Sequence, residues 1–256
     1  MSTIPALGLL LLVVMVLVGG KQGALSFLSL LLNFVFLFAA IVLVSLHFSP
    51  IVVTLIFGIV ILAVTIFLGN DDEVTTQTAF FASILVMLVL LALILPVEHW
   101  ASVQGFGMED SDDLEGMSLL IGIKFMQVSI VTAVFSTLGA IAEAAMAISA
   151  GLAEIVQQQP KIATKQLFYD GITVGKQIIG TTFNTLFFGF FGGFLGLFIW
   201  YVDLHYSLGQ FLNNKIFDAE ILMVLFSLIS VILTVPMTTW VMTRRIHRVR
   251  KNKRAN

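Results

Sequence analysis

The stretch from Gly139 to Gly192 reads GAIAEAAMAISAGLAEIVQQQP (139–160), KIATKQLFYDGITVGKQ (161–177) and IIGTTFNTLFFGFFG (178–192). Two apolar runs flank a polar connection, and the first run carries a carboxyl, Glu143. Apart from Glu154 at the end of the same run, it is the only acidic residue inside any long apolar run of the chain. An ionisable group at the centre of a membrane helix costs about 3 kcal/mol or more, so it is a functional candidate by default. Small residues surround it at helical spacing: Gly139, Ala140, Ala144, Ala147 and Gly151. In lipid, where little hydrophobic force draws helices together, small residues permit the close backbone approach that yields dispersion contacts. The stretch predicts an all-α, helical membrane protein with a polar spot in a packed interior.

Composition agrees. Hydrophobic residues make up 59% of the 256, charged residues 11%, and mean hydropathy is +1.05. Soluble domains carry about 25% charge. The net charge of −2 gives no basic signature for nucleic acid. Cysteine is absent, which removes disulfides, Cys-ligated metals and Cys nucleophiles.

Outward from the central stretch, apolar runs mark about seven transmembrane helices (6–8) in a single membrane domain. The runs are 4–20, 24–46, 51–69, 79–97, a long or broken one at 117–156, 178–200 and 221–240, followed by a basic tail, 241–256. The first run is read as a span, since no Lys or Arg precedes it and no small-residue cleavage site follows, as a signal peptide requires. A tight turn, VGGKQG (18–23), separates the first two runs, and Pro50 opens the third. The connection Glu98–Glu115 holds six acidic residues and no Lys or Arg. It is read as a solvated acidic loop, because EDSDDLE (109–115) lacks the order of a calcium-binding loop. At 1.5 Å per residue, 117–156 would be roughly 60 Å of helix against a hydrocarbon core of about 30 Å. Either one span follows a re-entrant or interfacial segment, or a helical hairpin turns near Ser136–Gly139. Residues 160–176 suit an interfacial helix on the cytoplasmic side. The basic tail should be cytoplasmic. Seven spans then place the N-terminus and the acidic loop outside, and Lys21, Lys161, Lys165 and Lys176 inside.

Counting residues from the expected cytoplasmic face places Glu143 roughly 16 Å deep and Asn184 about 12 Å deep. Thr181, Asn184 and Thr185 share one side of their helix, with Gly180 thinning it nearby. A carboxyl facing two hydroxyls and an amide is a chemically sensible proton or cation site. The competing reading is a neutral Glu143 acting as a hydrogen-bonded tie between helices. The histidines lie at run ends or in loops without metal-ligand spacing. No second membrane-depth carboxylate forms a dyad. Neither an enzyme nor a cofactor is expected.

The blocks GAIAEAAMAISAGLAEI (139–155), QLFYDGITVGKQIIGTTFNTLFF (166–188) and the early VGGKQG turn resemble the YibE/F-like bacterial membrane proteins over nearly the whole chain. Longer members carry an extracytoplasmic domain ahead of the run matching Ile4–Gly20, so this chain resembles the short, YibF-type member of a pair. The resemblance implies residence in the bacterial cell membrane. It also implies a partner, a longer YibE-type paralogue or, failing that, a second copy. Two departures stand out: the family usually has Asp at Glu143 and an acidic residue at Gln177. The same block is more distantly similar to the last membrane helices of the export protein SecF. The function expected is a transport component, with a non-transporting scaffold or assembly subunit as the alternative.

Overall fold

A computed structural model describes residues 3–103 and 124–255. Every regular element among them is helical: α1 (Thr3–Ser45), α2 (Pro50–Gly69), α3 (Glu73–Ala101), α4 (Phe125–Gln158), α5 (Thr164–Asp203), a short α6 (Leu208–Leu212) and α7 (Lys215–Ala255). Six of these are long and apolar enough to cross a membrane.

The first is not one rod. Gly20 has φ 55° and ψ −132°, a backbone that residues with a Cβ rarely adopt. A straight helix would hold Met15 and Gly23 about 12 Å apart. Instead, a Cβ at Gly23 would collide with the Met15 carbonyl, so the chain folds sharply there. The break falls inside the VGGKQG turn and divides α1 into 3–19 and 21–45. The second half lies along α2 with three polar rungs. Gln22 Nε2 donates to the Leu68 carbonyl at 2.9 Å, Ser29 Oγ to the Val64 carbonyl at 3.4 Å, and Asn33 Nδ2 to Thr65 Oγ1 at 2.7 Å.

Helix α4 is the central post. It packs against α2, α3, α5 and α7. Its Ile141, Ala142 and Ala145 sit in the main core with Leu62 and Ile66 of α2 and Val86, Met87 and Leu90 of α3. Its Ala140 and Ala144 pack with Val231 of α7 and with Ile178, Ile179, Phe183 and Leu186 of α5. Nearer its C-terminal end, Ile148 and Leu152 join Leu167, Val235 and Met242. Close approach of α5 to α7 rests on two glycines. A Cβ at Gly171 would lie 2.6 Å from Thr239 Cγ2, and one at Gly175 would collide with Val235.

The structure closes one alternative and changes two expectations. Ser136–Gly139 lies inside α4, so there is no helical hairpin there and the described part of 117–156 is one helix. No separate interfacial helix precedes the sixth run: α5 runs unbroken from Thr164, and its first turns are tied to the bundle by buried Leu167, Gly171 and Gly175. At roughly 60 Å it exceeds the hydrocarbon core, so part of it projects beyond the membrane. Finally, Glu98 does not belong to a solvated loop. It lies in the last turns of α3, is 2% exposed, and accepts a 2.8 Å hydrogen bond from Ser129 Oγ of α4. The rest of the acidic connection, from residue 104, lies outside the described residues.

Candidate functional site

Glu143 sits near the middle of α4, fifteen residues before its end at Gln158. Its side chain is exposed in the single chain. Helical geometry explains the placement. Successive residues turn by about 100°, so Ala140 and Ala144 face α5 while Glu143 looks past that contact. Gly139, Ala147 and Ala150 are exposed on the same strip. Together with Met146 they form one wall of a groove of about 400 Å³. The other wall is the C-terminal end of α2: Thr65, Gly69 and Asn70. A Cβ at Gly69 would stand 3.4 Å from Met146 Sδ, so the two helices pass closely just beside the carboxyl.

Thr181, Asn184 and Thr185 do not join Glu143. Helix α5 meets α4 through Ile178, Ile179, Phe183 and Leu186. The three polar residues point away from that contact and are exposed. Each bonds its own helix: Thr181 Oγ1 to the Ile178 carbonyl at 3.0 Å, Asn184 Nδ2 to the Gly180 carbonyl at 3.0 Å, and Thr185 Oγ1 to the Thr181 carbonyl at 3.1 Å. Similar depth counted along two helices does not fix azimuth. The partners that do share the groove are Thr65 and Asn70, so the chemistry of carboxyl, hydroxyl and amide is present with other residues. Their signal was legible: Thr65 interrupts the third apolar run and Asn70 ends it, one turn on.

The small residues divide in the same way. Ala140 is buried, and Gly151 packs with a Cβ position 3.4 Å from Val174. Among the described residues, Gly139 and Gly180 have no neighbour within 4 Å of a Cβ position, and Ala147 is exposed.

The groove opens towards polar backbone. The Asn70 side-chain oxygen accepts from the Asp72 amide at 3.0 Å, and the Asn70 carbonyl accepts from Thr76 Oγ1 at 3.3 Å. Asp72 caps α3, its Oδ2 taking the Thr75 amide at 2.7 Å. Interaction with Thr75, first its side chain and then its amide, holds the Asp72 carboxyl below the ordinary carboxylate range, with a smaller contribution from Arg245. Glu143 and Asn70 line the same groove, so the carboxyl shares it with the polar connection that follows α2.

Helix α7 carries a buried hydroxyl stripe. Ser227, Ser230, Thr234 and Thr238 follow one face of α7 at spacings of three and four residues, and all are at most 2% exposed. The first three donate to carbonyls of their own helix or of α4. Ser83, Ser149, Thr182 and Thr238 are buried with no hydrogen-bond partner for the hydroxyl among the described residues. Among the described residues, no three His, Asp or Glu side chains gather as metal ligands would.

A bundle of long apolar helices around a central post, with one carboxyl in a small-residue groove, defines a polytopic α-helical membrane protein. The chain belongs to the YibE/F-like protein family, whose profile matches residues 7–248. No curated protein and no solved structure matches it, so the more distant likeness to SecF gains no support.

Proposed function

We propose that the protein is a membrane transport component in which Glu143 handles a proton or cation, at a site completed by another subunit. One observation carries the reading: a carboxyl near the middle of α4 lies exposed, in a groove lined by glycines and alanines, on the helix that organises the fold. A carboxylate facing lipid is costly. A second helix seated in the groove would remove it from lipid, and Thr65 and Asn70 supply hydroxyl and amide groups to share a proton or a dehydrated cation. The partner is a longer YibE-type paralogue or a second copy, in the bacterial cell membrane. The basic end of α7 faces the cytoplasm by the positive-inside rule and the N-terminus faces out. Cysteines at Ser111, which lies outside the described residues, and at Asn252 would then label from opposite sides.

The test uses the assembly extracted from its native membrane and reconstituted into vesicles holding a pH-sensitive dye. Under an imposed potential, the wild-type assembly should pass protons or exchange them for a cation. Glu143→Gln should abolish that flux while the mass of the intact particle stays the same. The same small-residue groove favours a second reading, an assembly subunit in which Glu143 ties helices together. If Glu143→Gln and Glu143→Ala change only the mass of the particle and no flux depends on the carboxyl, that second reading stands.

A further inference from the structure

The last turns of α7 carry a cationic ridge with a cleft on each side. Arg244 and Arg248 are one turn apart, and both are exposed. The Arg244 guanidinium lies over the Trp240 ring, 4.1 Å from its centroid. One cleft, about 460 Å³, runs between α7 and the start of α5 and adds Thr164, Phe168 and His247. The other, about 440 Å³, runs between α7 and the start of α3 and adds Gln77 and Phe81. Among the described residues, neither cleft is lined by a carboxylate.

The arginines differ in what they do. Arg245 is committed to the fold: Nη1 donates to the Val74 carbonyl at 3.2 Å and to Thr78 Oγ1 at 3.4 Å, and Nη2 donates to Gln77 Oε1. It docks the end of α7 on the first turns of α3. Arg244 and Arg248 make no hydrogen bond or ion pair among the described residues. Each cleft is also amphipathic along its length. Phe81 and Trp240 are exposed on the side of the apolar part of α7, while the guanidiniums stand one turn further out. Trp rings settle at the headgroup level of a bilayer, and basic clefts between helices there bind anionic headgroups. Arg presents a planar fork that matches phosphate oxygens two at a time.

We propose that these clefts bind anionic phospholipid, with the phosphate held by Arg244 and Arg248 and an acyl chain lying along Trp240 and Phe81 or Phe168. The site is independent of Glu143 and of any transport reading. It predicts selectivity for headgroup charge, because zwitterionic lipid offers the same phosphate beside a cation that the ridge repels.

The full chain, with Trp100→Phe and Trp200→Phe leaving Trp240 as the remaining tryptophan, is reconstituted in phosphatidylcholine vesicles. Phosphatidylglycerol brominated in its acyl chains should quench Trp240 at a lower mole fraction than brominated phosphatidylcholine does. Arg244→Gln with Arg248→Gln should weaken that preference roughly tenfold or more, as expected for two basic side chains at an anionic surface. Arg244→Lys with Arg248→Lys should keep part of it, and Lys161→Gln with Lys165→Gln should leave it intact. Native mass spectrometry of the unmutated chain should retain phosphatidylglycerol in preference to phosphatidylcholine, a readout that does not depend on any variant folding. Equal quenching by the two brominated lipids, or an unchanged preference in the glutamine double variant, would overturn the proposal. So would inorganic phosphate displacing the bound lipid at matched phosphate concentration, which would make the site one for free anions.

Discussion

Two stripes of small residues behave in opposite ways. On α5, Gly171 and Gly175 are pressed against Thr239 and Val235 of α7 so tightly that neither leaves space for a Cβ. On α4, Gly139, Ala147 and Ala150 stand open on either side of Glu143. Both stripes have helical spacing, and both lie in long apolar helices. The spacing of small residues identifies a face where a helix can approach closely; it does not say whether that helix belongs to the same chain. In the first case α7 fills the place. In the second, the end of α2 passes beside the strip and leaves a groove between itself and α4.

The sharpest way to break this contrast is to fill each stripe. Gly175→Leu forces a branched side chain into Val235 and should cost about 3 kcal/mol or more, enough to lose the folded chain from mild detergent. Gly139→Leu meets nothing among the described residues and should leave the stability of the isolated chain within about 0.5 kcal/mol of wild type. Fluorescence-detected size exclusion of heated samples compares the two directly. If Gly139→Leu destabilises the isolated chain as severely as Gly175→Leu, the groove is already filled by this chain.

A second pair of positions contrasts two carboxyls. Glu98 is enclosed and accepts from Ser129, whereas Glu143 is exposed and makes no hydrogen bond among the described residues. Ser129→Ala removes a hydrogen-bond donor from a buried carboxyl and should cost about 1–3 kcal/mol. Glu143→Gln should change the stability of the isolated chain by no more than about 0.5 kcal/mol, its effect appearing in flux or assembly. Thermal midpoints of the two variants in one detergent decide; similar losses in both would mean that Glu143 is also enclosed.

Much of the fold was legible because it is written in long apolar runs and in their breaks. Gly20 and Pro50 fall where the helices bend or begin, and the paired polar residues Asn33 and Thr65 interrupt adjacent runs because they meet. Rotation about the helix axis was less legible. Residue counting gives Glu143 and Asn184 similar depths, yet a rotation of about 100° per residue decides which face each occupies, and counting depth leaves that open. Seen from the sequence, Ala140 and Ala144 were equally good evidence for an α5 contact, and choosing them for it would have placed Glu143 outside that contact. Glu98 was misplaced for a related reason. It opens an acidic string, and the composition of that string concealed that its first member still belongs to α3. The unbroken start of α5 was missed because Lys161, Lys165 and Asp170 make a polar face, and a polar face suits a helix projecting beyond the membrane as well as one lying on it.

The smallest expected effect sharpens the comparison at the rim of the open groove. Asp72 caps α3, and its neighbour Asn70 lines the groove beside Glu143. Folding lowers the Asp72 carboxyl below its ordinary range, chiefly through Thr75. A group depressed in this way favours the folded state most when ionised in both states. Its contribution is therefore complete above an unfolded value of about 4 and is lost as pH falls through the lower, folded one. Because Asp72 is exposed, solvent screening holds the effect to a few tenths of a kcal/mol. Asn at this position keeps a side-chain oxygen for the cap and does not titrate. The stability of Asp72→Asn relative to wild type should therefore improve slightly between about pH 5 and pH 3, a window set by the direction of the shift. Amide exchange at residues 73–77, corrected for intrinsic rates, should show wild type loosening there in acid while the seam at Gly171 and Gly175 stays protected. Loosening of the seam at the same pH would mean that the rim and the seam open as one unit, and the distinction between a closed contact and an open groove would then fail as a statement about stability.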